Sequence, residues 1–193
     1  YLKKLGMIAI DLSNSMLAED IKPNRLERAK QAISKLIDKL EGDRIGLIVF
    51  AGEAYIQLPI TTDYSAAKLF LSTINTNIIP TQGTEIGKAI ELSRESFDME
   101  NAQNKAIIII TDGESHDQNA IENAKDANKV NIIVHTLGMG LNKGGPIPIY
   151  NKYGNQTGYR KDKEGNTIVS KLNEDLLIQI AKAGKGTYVR ANN

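Results

Sequence analysis

The 193-residue chain contains no cysteine, which removes disulfides, thiolate metal ligands and a cysteine nucleophile, and leaves its redox compartment open. It also lacks an excess of either charge. Its 24 lysines and arginines face 23 aspartates and glutamates, so no global field draws it to nucleic acid or an anionic membrane, and recognition has to be local. Long hydrophobic runs are missing as well. The longest purely apolar stretches, such as Ala106-Ile107-Ile108-Ile109-Ile110, fall far short of the ~20 residues that cross a bilayer. No signal peptide precedes the first strand, so the chain as it stands is expected to be soluble. It starts at Tyr1 and not at Met, as expected of a piece of a longer protein whose membrane anchor would lie outside it. What is present is 41% hydrophobic residues, enough for a sizeable core, in a length that fits one domain over 1–193.

Gly6-Met7-Ile8-Ala9-Ile10 reads as a buried strand delivering a polar loop, Asp11-Leu12-Ser13-Asn14-Ser15. Asn24 with Glu27 three residues on opens a helix whose Leu26, Ala29, Ile33, Leu36, Ile37 and Leu40 form one apolar stripe. Arg44 to Phe50 is the next buried strand. Ala54 to Leu58, stopped by Pro59, is close enough to it for an antiparallel edge hairpin. Asp63 caps a helix with Ala66, Leu69, Phe70 and Ile74 as its apolar residues, and a loop over 75–83 leads to another with Ile86, Ala89, Ile90 and Phe97. The β-branched run 106–110 repeats the pattern of the first strand and ends in Thr111-Asp112-Gly113. A helix over 119–128, a strand over 131–137, a helix capped by Asn173 and a strand over 186–190 follow. Residues 138–170, rich in Gly, Asn, Lys and Tyr, read as a surface hairpin insertion with small strands at 158–160 and 167–169. Strands alternating with amphipathic helices predict an α/β fold, a doubly wound, mostly parallel sheet with one antiparallel edge strand and this insertion. Ligands of such sheets bind beyond the carboxyl ends of the strands, where Asp11 and Asp112 both fall.

Asp11, Ser13 and Ser15 alternate, so in a nearly extended loop their oxygens can converge on one side. With Thr84 at a helix entrance and Asp112 they make a hard, oxygen-only donor set of the kind magnesium takes, with at most two carboxylates. Neutral hydroxyls leave part of the ion's charge uncompensated, so a partner's carboxylate can complete the shell. Asp-x-Ser-x-Ser alone is a common polar turn. Its placement after a first buried strand, with Gly83-Thr84 before a helix and Thr111-Asp112-Gly113 after a later strand, supplies the context it needs.

These five residues resemble the metal-ion-dependent adhesion site of von Willebrand factor A domains. More narrowly, the stretches 11–20, 23–30 and 44–52 resemble bacterial aerotolerance (Bat) proteins of the BatB kind, and the likeness runs through essentially the whole chain. The resemblance implies a Rossmann-like sheet with a magnesium site at its top, manganese or calcium being possible substitutes. It also implies a non-catalytic role in protein assemblies, a last helix (174–183) that shifts on ligand binding, and a periplasmic domain flanked by membrane helices. The rival reading is a metal-assisted hydrolase or phosphotransferase using Asp11 as nucleophile, but those enzymes resemble Asp-x-Asp, and Ser13 stands where their general acid would be.

Other polar residues read more plainly. Glu114, His116 and Asp117 fit solvated loop and helix-cap positions better than ligand-orienting ones. His135, in a strand, reads as structural. Gly138, Gly140, Gly144 and Gly145 are loop glycines, since no Gly-Lys-Ser/Thr follows them as in a phosphate loop. Tyr150, Tyr153 and Tyr159, with Lys152, Arg160, Lys161 and Lys163, form either an aromatic and basic contact surface or a solvated hairpin.

Overall fold

The computed structural model describes residues 4–100, 103–115, 117 and 119–191. Six strands form one sheet: β1 (Lys4–Asp11), β2 (Arg44–Phe50), β3 (Ala54–Thr61), β4 (Asn104–Thr111), β5 (Ile132–Gly138) and, in the same sheet, a C-terminal strand Lys185–Arg190, in spatial order C-terminal strand, β5, β4, β1, β2, β3. All neighbours pair in parallel except β2 and β3, so the antiparallel edge expected at 54–58 is there. It runs three residues further than the sequence suggested. Pro59 has no amide to donate, but an edge strand can carry a proline on its unpaired side, and irregular register between Ile45 and Ile48 absorbs the misfit.

The helices are α1 (Arg25–Ile37), α2 (Tyr64–Thr73), α3 (Ile86–Glu95), α4 (Ala120–Lys129) and α5 (Glu174–Ala183). Strand alternation sorts the core into two layers. Ile8, Ile10, Leu47 and Val49 point to the side of α1 and α2, and Met7, Ala9, Ile48 and Phe50 to the side of α3, α4 and α5. Asn24 accepts from the Glu27 amide and opens α1, while Asp63 and Asn173 cap α2 and α5 in the same way. The apolar residues of α2 divide between core and surface. Ala67 and Leu71 are buried, whereas Leu69 is 65% exposed and Phe70 lies on the surface. Hydrophobicity alone cannot tell which of two apolar stripes on one short helix meets the sheet.

The insertion holds two small ladders, Gly145–Pro146 (β6) with Val169–Ser170 (β9) and Pro148–Tyr150 (β7) with Gln156–Tyr159 (β8). The strands β6 and β7 carry prolines and were not foreseen. The C-terminal strand is β10. From β1 the chain winds outward through β2 to β3, and from β4 outward through β5 to β10, so the winding reverses between β1 and β4. That reversal opens a crevice at the carboxyl ends of these two strands.

Candidate metal centre

Asp11 is the last residue of β1 and Asp112 follows the last residue of β4, so the reversal point sets two fully buried carboxylates side by side. The Asp11 Oδ1 accepts the Ser13 amide at 2.7 Å, and its Oδ2 accepts the Thr111 hydroxyl at 2.5 Å. Ser13 and Ser15 bring their hydroxyl oxygens to 2.9 Å of each other. This hydrogen-bond distance is also about the edge of an oxygen octahedron around an ion with ~2.1 Å bonds. Burial first, and the Asp112 carboxylate next, push Asp11 up to about 7.

Thr84 precedes α3 by two residues. The Ser115 hydroxyl donates to the Thr84 carbonyl at 2.5 Å, and two residues earlier the Gln82 side chain accepts the Asn14 amide at 3.0 Å, which ties this loop to the one after β1. Among the described residues no hydrogen bond joins the Thr84 side chain to the other four. The structure therefore brings Asp11, Ser13, Ser15 and Asp112 to one end of the sheet and Thr84 to the adjoining loop. Among the described residues no group of three or more His, Cys, Asp or Glu is placed to hold a metal, so a metal here would depend on hydroxyl oxygens.

Sequence reasoning missed a central member. Arg25, at the start of α1, is completely buried. Its Nε and Nη2 form a fork on Asp20 at 2.9 and 2.7 Å, and its Nη1 reaches Asp112 Oδ2 at 2.7 Å and Ser170 Oγ at 2.6 Å. The signal was present, since Arg25 shares the helical stripe of Ala29 and Ile33. Burial disfavours its charged form, but Asp20 and Asp112 outweigh that and raise its pKa. Gly140 makes room for this guanidinium: its φ is +116°, and a Cβ there would lie 2.6 Å from Arg25 Nε. The side chains of Asp11, Asp20, Asp112 and Arg25, all essentially without solvent contact, thus carry a formal excess of two negative charges. A divalent cation would offset that excess.

Two of the bordering acids occupy loop and helix-cap positions. Asp117 accepts the Gly87 amide at the start of α3 and the Asn119 amide. Glu114 is exposed, and His116 lies outside the described residues. On β5, His135 Nδ1 accepts the Thr187 amide at 3.0 Å. Gly113, at φ +69°, lets α5 close on the site, where the Asn173 amide donates to the Asp112 carbonyl at 2.8 Å.

A crevice at this reversal point, entered by Asp-x-Ser-x-Ser from β1 and by Asp112 from β4, is the framework of one class of domain. The chain belongs to the von Willebrand factor type A domain family, whose model matches residues 7–114. Within that class it is similar over nearly its whole length to two solved structures. The aerotolerance-related membrane protein of Bacteroides fragilis is 50% identical with a TM-score of 0.93, over 98% of this chain and 92% of that one. The conserved hypothetical protein BatB of Bacteroides thetaiotaomicron is 51% identical with a TM-score of 0.92, over 98% and 90%. A mussel byssus proximal thread matrix protein, 16% identical with a TM-score of 0.69 over 98% of this chain and 42% of that one, shares the fold and has been solved with a zinc-occupied MIDAS motif, the abbreviation of metal-ion-dependent adhesion site. Among curated relatives, an uncharacterized protein of Borreliella burgdorferi is 32% identical over 140 residues, which is 69% of this chain and 40% of that protein. The chain therefore spans less than half of that relative's length. No helix among the described residues is long and apolar enough to cross a membrane.

Proposed function

We propose that this domain binds a protein partner through a magnesium ion held by Asp11, Ser13, Ser15, Thr84 and Asp112, with an acidic side chain of the partner completing the ion's shell. The observation that carries the reading is the burial of three carboxylates against one guanidinium, an excess of two negative charges when Asp11 is ionised, which costs free energy unless a proton on Asp11 or a divalent cation relieves it. The donor chemistry fits: hydroxyl and carboxylate oxygens suit a hard cation, and the 2.9 Å spacing of Ser13 and Ser15 suits octahedral coordination. With at most two carboxylates in the shell, one already bonded to Arg25, the other ligands are neutral, so an anionic side chain of the partner is the strongest ligand for the open position. The likeness to the B. fragilis membrane protein supports a place in a Bat-type, stress-related membrane complex, with this domain at the periplasmic face of the inner membrane.

Calorimetric titration of magnesium into chelator-treated protein tests the site. One equivalent should bind to the wild type, and Asp11→Ala or Asp112→Ala should abolish the heat. Unchanged binding in both variants would remove the proposed ligands from consideration.

A further inference from the structure

The insertion is electrostatically unlike the rest of the chain. Residues 138–170 set Lys143, Lys152, Arg160, Lys161 and Lys163 against Asp162 and Glu164, a net +3 in a chain whose total is +1. The remainder is therefore net acidic. Among the described residues none of these five cations takes part in an ion pair. Asp162 is occupied by the backbone and side-chain N–H groups of Asn166. Lys152 sits over the Tyr153 ring at 5.0 Å from its centre, and that ring is 75% exposed; Ile149, Tyr159 and Val169 are exposed too. Unpaired cations beside open tyrosine side chains offer an acidic polypeptide complementary charge and contact surface.

The patch is anchored beside the candidate metal centre. The Leu141 amide donates to Asp20 Oδ2 at 2.8 Å, the Tyr150 hydroxyl bonds the Glu19 carboxylate, and Ser170 bonds Arg25. Asp20 and Asp112 are separated only by the Arg25 guanidinium. Between the loop after Ser15 and the insertion lies a cleft of about 380 Å³ whose walls include Lys22, Lys143, Gly145, Pro148 and Tyr159. Its two acids are already engaged, Glu19 by Lys22 and Tyr150 and Asp20 by Arg25, whereas Lys143 has no carboxylate partner among the described residues.

We infer that this cleft and the basic insertion are the second half of the docking surface, and that the partner segment is an acidic peptide carrying several carboxylates within a few residues. One carboxylate goes to the metal and the others to the insertion's cations. This rests on the metal-centred reading above. The new charge-assisted contacts require no existing ion pair to break. A planar anionic membrane would meet the rim cations but leave the cleft unused, which favours a peptide.

The test uses dye-labelled, glycine-spaced peptides with one Asp, with three Asp or Glu, and with three Asn or Gln, followed by fluorescence anisotropy in magnesium. The triple-acid peptide should bind the wild type about tenfold more tightly than the variant Lys143→Gln/Arg160→Gln/Lys161→Gln/Lys163→Gln. The single-acid peptide should not distinguish them. Magnesium affinity, read calorimetrically, should be the same in both proteins. A second variant, Lys161→Glu/Lys163→Glu, should weaken the triple-acid peptide further while keeping the wild-type melting temperature. Equal triple-acid binding to wild type and neutralised variant, with magnesium binding intact, overturns the inference and leaves the metal reading standing. Absence of magnesium binding in the wild type removes both. Failure of the acidic peptides on magnesium-loaded wild type, with insertion-dependent binding to phosphatidylserine vesicles, would make the patch a membrane surface instead.

Discussion

Arg25 is the residue on which the candidate centre turns. One guanidinium holds a carboxylate from the loop before α1, the carboxylate that follows β4 and the hydroxyl of Ser170 at the end of the insertion, and its side chain is fully buried. Such a group adds little net stability when complete, because desolvation offsets most of the attraction, but removing one partner leaves buried charge uncovered. Arg25→Met should therefore destabilise the metal-free protein by ~3–5 kcal/mol, read from the urea midpoint. Arg25→Lys, which keeps the charge but loses the fork, should fall between the two. A midpoint within error of wild type for Arg25→Met would mean that Asp20 and Asp112 find other partners and that the hub has no structural weight.

At the scale of elements, the informative piece is β10. It is an edge strand with a register shift between Lys185 and Tyr188, and at that irregularity the Thr187 amide bonds not to the ladder but to His135 Nδ1. Only an unprotonated Nδ1 can accept that bond, and burial holds the His135 pKa below its ordinary value. Because the folded value lies below the unfolded one of ~6.5, this contribution is complete above ~6.5 and is lost as pH falls toward the folded value. Wild type should thus lose more stability than His135→Gln between about pH 7.5 and pH 5.5. Parallel denaturant curves for the two proteins over that interval would show that the bond does not titrate. The same scale marks where reading the sequence stops. The strands β1 and β4 were legible because both faces are buried and the runs are continuous, and α1 and α3 because their apolar stripes are wide. The apolar residues of α2 named no single inward face, and β6 and β7 were missed because proline-bearing two- and three-residue strands exist only through their cross-strand partners.

For the molecule as a whole, the carboxyl end of the sheet stores uncompensated charge. With Asp11 pushed up to about 7 and an unfolded value near ~3.9, the metal-free protein should lose stability as pH rises through that interval. Magnesium, which binds the ionised form, should reverse the trend. The rise in melting temperature on adding magnesium is expected to be larger at about pH 8 than at about pH 6, where protons compete for Asp11. A pH-independent rise, or none, would mean that Asp11 is not where the ion binds. The sequence by itself determined the order of strands and helices and the polar loops that end β1 and β4, because strand burial and loop composition are local properties. The hydroxyl spacing of Ser13 and Ser15 does not follow from the extended alternation expected there, because Asn14–Leu17 coils into a short 3-10 turn that draws the two oxygens together. Only the tertiary structure decided that Arg25 lies between Asp20 and Asp112, that Gly140 vacates the space it fills, and that the basic insertion leans on the loop after Ser15. Those facts depend on segments distant in the chain meeting in space, and neither periodicity nor residue type records which of them meet.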